Sequence, residues 1–102
     1  MAIPTVTVDP ATLAKIKTSL RISTNAFDTE LTDLVQAAIG DLYIAGVRGD
    51  GIVLTDAIVL RAVTTYVKMN FGLPEDYDKL KASYDEQKAQ LSMASGYTIW
   101  GG

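Results

Sequence analysis

The chain has 102 residues, of which 48% are hydrophobic and 21% charged, with a formal net charge of −3 at neutral pH. That balance fits one globular domain with a modest core and argues against a protein that grips nucleic-acid phosphates through a basic surplus. Cysteine and histidine are both absent, which excludes a disulfide framework, the usual zinc ligand sets and a serine or cysteine nucleophile activated by histidine.

Met1 to Val8 contains no positive segment followed by an apolar run, so a secretion leader is not expected. No apolar stretch reaches the ~18 residues of a membrane helix. The expected setting is the cytoplasm, with no membrane contact. Val6 and Val8 alternate with Thr5 and Thr7, which reads as an extended arm over residues 1–8.

Asp9-Pro10 predicts a helix start, with Asp9 as cap and Pro10 at the first helical position. Leu13, Ile16 and Leu20 follow at helical spacing, so the first helix runs to about Leu20. The polar run Ser23-Thr24-Asn25 breaks it. The second helix opens with Asp28 as N-cap and Phe27 stapling onto its first turn. Leu31, Leu34, Val35, Ala38, Leu42 and Ala45 form its apolar stripe, and Glu30, Asp33, Gln36 and Asp41 lie mostly off it. Gly40 inside this helix costs ~1 kcal/mol relative to alanine, so close approach of another backbone is expected there. Gly46 is the expected stop.

Residues 47–54 read as a glycine-rich loop. Thr55 is the expected cap of the third helix, with Asp56 favoured at its positive end. Ile58, Val59, Leu60, Ala62, Val63, Tyr66, Val67 and Met69 make this helix apolar nearly all round. Such a helix is central, or covered on a second side by a neighbour. Its polar strip is Arg61, Thr64, Thr65 and Lys68, and Gly72 closes it. Pro74 is expected to begin a fourth, amphipathic helix with a thin stripe of Tyr77, Leu80, Tyr84 and Leu91. Its opposite charges pair at i, i+3 or i+4: Glu75/Lys79, Asp78/Lys81, Lys81/Asp85 and Asp85/Lys88. There is no internal repeat, low-complexity stretch or second domain. The expected fold is all-α: a small four-helix domain with an extended N-terminal arm (1–8), a helical core (9–93) and an extended C-terminal tail (94–102).

The stretch Leu20-Arg21-Ile22, then Asp28, Glu30-Leu31, Leu34-Val35, Ala37-Ala38-Ile39, Asp41-Leu42 and Ala45-Gly46-Val47 resembles the start of the phage head–tail connector family. The likeness continues through Ala57-Ile58, Ala62-Val63 and Tyr66 into the charged fourth helix and Tyr97, covering about residues 13 to 97. The resemblance implies a structural subunit in the virion, at the head–tail interface. It implies a homo-oligomeric ring under the portal protein that extends the DNA channel and docks the next head-completion or tail protein. DNA would pass through without sequence-specific binding. The family brings no catalytic, cofactor-binding or metal-binding residues to carry over.

Five residues are candidate interface positions: Arg61, Lys68, Tyr97, Ile99 and Trp100. Arg61 and Lys68 share the polar strip of the third helix, either as a solvated face or facing acids such as Asp33 or Asp41 of the next chain. Tyr97, Ile99 and Trp100 sit in a glycine-flanked tail that either folds onto its own core or adds to a neighbour; aromatics are common interface anchors. Arg48-Gly49-Asp50 is read as a loop, not a cell-adhesion signal. Glu75, Asp76 and Asp78 are read as charge favoured at a helix start, not as calcium ligands or acid–base groups. The rival class, a small helical DNA-binding or regulatory protein, would need a basic recognition helix, and the third helix is too apolar for one.

Overall fold

The structure, a computed structural model, describes residues 7–47, 54–72 and 74–93. Among these residues there are four helices: α1 (Pro10–Ser19), α2 (Asp28–Ile44), α3 (Ala57–Asn70) and α4 (Tyr77–Met93). The all-α expectation is met. Val8, the end of the arm, packs partly buried against the core.

α1 begins as its sequence dictates. The Asp9 carboxylate accepts the Thr12 amide at 2.7 Å, and Pro10 occupies the first turn, where a missing N–H costs nothing. That bond is also the main reason the Asp9 carboxyl lies below its ordinary value. The helix ends without a glycine. The Ile22 amide donates to the Lys17 carbonyl at 2.9 Å and the Arg21 amide to that of Thr18 at 3.1 Å. This closure needs a left-handed residue, and Arg21 supplies it at φ 59°. α2 ends through the same two bonds, Val47 to Leu42 and Gly46 to Tyr43. There the left-handed position is held by Gly46, as expected, at φ 106°.

Three helix starts differ from expectation. At α2 the N-cap position belongs to Phe27, which has no capping side chain, and Asp28 is the first helical residue. Asp28 is drawn instead to Lys17 of α1, at 2.9 Å. The Phe27 ring meets Phe71 edge-on at 5.3 Å, joining the start of α2 to the exit of α3. At α3 the cap is Asp56, not Thr55: its carboxylate accepts from Ile58 at 2.9 Å and Val59 at 3.4 Å. A charged acceptor outcompetes a hydroxyl at the positive end of a helix. α4 starts at Tyr77 rather than Pro74, and Tyr77 is exposed, so it is not part of the apolar stripe. Of the predicted ladder of pairs along α4, Lys81–Asp85 closes at 2.8 Å.

α3 is the centre, as its apolar circumference requires. It packs against α2 on one side and α4 on the other, whereas α1 rests mainly on α2. Val59, Ala62, Val63 and Val67 of α3 are fully buried, together with Leu31, Val35, Ala38, Ile39 and Leu42 of α2 and Ile16 of α1. Gly40 is buried within α2. α2 and α4 both run antiparallel to α3. Phe27 meets Phe71, and one depression brings Arg61 beside Gln87 and Lys68 beside Leu80. The exposed apolar residues Ile44, Ile58 and Met93 therefore lie at one end of the bundle, where α2 and α4 finish and α3 begins.

Candidate functional site

The polar strip of α3 lies in an open surface depression. It floors a furrow of about 430 Å³ between α1 and α4. Arg61 and Lys68 line it, and Lys15 joins them from α1. Arg61 is exposed and Lys68 half-buried; neither forms an ion pair among the described residues. Smaller depressions continue the furrow. One carries Arg61 and Gln87 on to Glu86 and Gln90, the other Lys68 and Leu80 on to Pro74 and Asp76. No carboxylate lines the central part.

The floor is neutral and hydrogen-bonded within the helix. The Thr64 hydroxyl donates to the Leu60 carbonyl at 2.7 Å and that of Thr65 to Arg61 at 2.9 Å. Each hydroxyl oxygen keeps acceptor capacity, and each bond satisfies a polar group on a helix that is otherwise packed on both sides. The Gln87 side-chain oxygen in the wall is shielded from solvent and unpaired among the described residues. Buried polar atoms of this kind are uncommon, and a partner that brings a donor gains from meeting one.

A second polar cluster lies on the other side of α3. The Tyr84 hydroxyl of α4 donates to Asp41 Oδ2 of α2 at 2.5 Å, and Lys88 reaches the same oxygen at 3.3 Å. The Tyr84 ring meets Tyr66 of α3 edge-on at 5.3 Å, and the Lys88 ammonium sits 5.2 Å above it. Burial, the bond to Asp41 and the Asp41 charge together push the Tyr84 hydroxyl well above its ordinary value. Burial, then the Asp41 charge, raises Tyr66 as well. Both rings stay neutral near pH 7. The cluster is a structural tie between α2, α3 and α4, not an acid–base pair.

The cluster also removes one sequence-level option. Asp41 is engaged by Tyr84 and Lys88 of its own chain, so of the two acids considered as partners for Arg61 and Lys68, Asp33 remains exposed. Tyr97, Ile99 and Trp100 lie outside the described residues. Sequence reasoning missed Lys15, because α1 is read by its apolar face and nothing in it marks which lysine will meet α3. Among the described residues, no group of three or more acidic side chains could hold a metal ion, and no helix is long and apolar enough to cross a membrane.

Residues 12–98 match a protein-family model described as "Phage connector protein". Comparisons with curated proteins and with solved structures give no match.

Proposed function

The chain belongs to the phage connector family, and on that premise we propose that it is a head–tail connector subunit of a tailed phage or prophage. In this reading it is a virion component that assembles in the host cytoplasm. Copies form a ring beneath the portal, continue the DNA channel and offer a platform to the next head-completion or tail protein. The family match over most of the chain carries the proposal. The work is geometric. Helix faces bury against neighbouring copies, and DNA passes a wall whose net charge of −3 per chain gives it no grip. The chain acts as one connector domain from residue 1 to 102. Arg61 and Lys68 serve as interface residues, and the tail with Tyr97, Ile99 and Trp100 docks on a neighbouring subunit or on the portal.

The DNA-binding alternative loses support from the placement of α3. A recognition helix must present side chains to a groove, yet the polar strip of α3 lies in a furrow walled by α1 and α4. Native mass spectrometry of the chain with and without the portal protein of the same phage tests the proposal. A ring of defined copy number on the portal is expected. A chain that stays monomeric and never binds the portal refutes it.

A further inference from the structure

The furrow has a charge pattern that asks for an acidic occupant. The chain carries 12 acidic and 9 basic residues, yet three cations, Lys15, Arg61 and Lys68, meet in one slot that no carboxylate lines. Many acids are committed elsewhere: Asp9 and Asp56 cap helices, Asp28 pairs with Lys17, Asp41 with Tyr84 and Lys88, and Asp85 with Lys81. Glu86 and Asp76 are exposed and border the furrow's two ends, beside Arg61 and Lys68 of their own chain. Glu30 and Asp33 lie away from the furrow, on the one helix that does not line it. Both are exposed on α2 and neither has a partner among the described residues.

We propose that the furrow is the socket for the N-terminal half of α2 from a second copy of this chain, with that copy's Glu30 and Asp33 set among Lys15, Arg61 and Lys68. This rests on the ring reading above and specifies which surfaces meet.

The spacing suits the contact. Residues three apart on a helix lie ~5–6 Å from each other, which places Glu30 and Asp33 on one face. Arg61 and Lys68 are seven apart, ~10 Å along α3 at 1.5 Å per residue. A carboxylate pair of the first span fits between two cations of the second, with Lys15 closing from the α1 wall. Topology suits it too. The furrow draws its lining from α1, α3 and α4 and none from α2, so socket and plug are different surfaces of one chain. Contacts of that kind join copies head to tail and close into a ring where the rotation from copy to copy closes. The acids at the start of α4 do not offer this, because Asp76 borders the furrow's own end. Duplex DNA is a poor occupant, because the net charge of −3 on the chain opposes a phosphate backbone.

Two doubly substituted chains test the contact. One carries Arg61→Glu with Lys68→Glu, the other Glu30→Lys with Asp33→Lys, and circular dichroism confirms that each stays helical. Native mass spectrometry is run on the wild type, on each variant alone and on an equimolar mixture. Wild-type copies should associate. Each variant alone should associate at least about tenfold more weakly, since like charges then face each other across the contact. The mixture should recover, because both of its alternating contacts pair opposite charges. Variants that associate like the wild type, or folded variants whose mixture does not recover, overturn the socket. If they still load on the portal as rings, the connector reading stands without it. A wild type that stays monomeric at every concentration overturns the self-contact, and the portal experiment then decides the connector reading separately. A short DNA duplex whose binding is lost in the Arg61→Glu, Lys68→Glu chain would assign the furrow to phosphate and overturn the proposal as well.

Discussion

Replacing Tyr84 by phenylalanine removes one oxygen atom and keeps the ring, so it isolates the tie between α4 and α2. The ring is 2% exposed, and its hydroxyl donates to Asp41 at 2.5 Å. A hydrogen bond to a charged acceptor contributes ~1.5–3 kcal/mol. Asp41 is not orphaned by the change, because it keeps Lys88 at 3.3 Å and its side chain is 37% exposed. The loss should therefore fall at the low end, ~1.5 kcal/mol, read by urea unfolding followed by circular dichroism. The pH dependence adds a sharper sign. The fold raises the Tyr84 hydroxyl above its ordinary value. Its contribution is therefore intact below pH ~10, the unfolded value, and declines as pH rises beyond it. One proton's difference between the folded and unfolded states costs ~1.4 kcal/mol per pH unit. The wild type should lose stability above pH ~10 more steeply than Tyr84→Phe, with Tyr66 leaving a smaller slope in both. A double-mutant cycle of Tyr84→Phe with Asp41→Ala should give a coupling of at least ~1 kcal/mol. A coupling near zero, or identical alkaline limbs in wild type and variant, would refute the tie.

Three further outcomes follow from local geometry. Arg21→Gly should stabilise the chain by ~0.5–1 kcal/mol in the same unfolding assay, because the left-handed C-terminal position of α1 strains any residue with a Cβ; destabilisation would show that the Arg21 side chain matters more than its backbone. Asp56→Ala should cost ~1 kcal/mol while Thr55→Ala stays within ~0.5 kcal/mol, since the cap of α3 is Asp56; equal losses would restore Thr55 as a cap. The Asp9 carboxyl is held below its ordinary value by the Thr12 amide, so its contribution is present above pH ~4, the unfolded value, and is lost as pH falls through the lower folded value. Asp9→Asn should flatten the acid limb of an unfolding series, and an unchanged limb would deny the cap its role.

Periodicity made the helices legible, because burial on one face leaves a repeating mark along the chain. Leu31, Val35, Ala38 and Leu42 are apolar at helical spacing and all four are buried. The helix stops were legible where chemistry leaves few choices, as at Gly46, and not where an arginine takes the same conformation, as at Arg21. At Thr55-Asp56 two adjacent residues can each cap, and only the chain's path chooses between them. The Tyr84–Asp41 bond spans 43 residues. Tyr84 was readable as an apolar-stripe position and Asp41 as a polar-face position, but nothing along one dimension says that the edge of one face meets the edge of the other. The furrow was half visible for the same reason. Arg61 and Lys68 announce themselves on an otherwise apolar helix, but Lys15 joins them only because α1 forms one wall of the furrow.

The furrow is built from parts of unequal firmness. Its floor is α3, gripped by α2 and α4. Its α1 wall is a helix of ten residues whose one fully buried apolar side chain is Ile16, tied to the entrance of α2 through Lys17 and Asp28. A short helix so anchored opens locally at a lower free energy than the centre of the bundle. A second copy docked against this wall would hold α1 in place, and the entropy lost by the helix would oppose the attraction between the furrow's cations and the incoming acids. Amide hydrogen exchange would register the event first in α1, as slower exchange at Ala14 to Ser19, while the already slow amides of α3 hardly change.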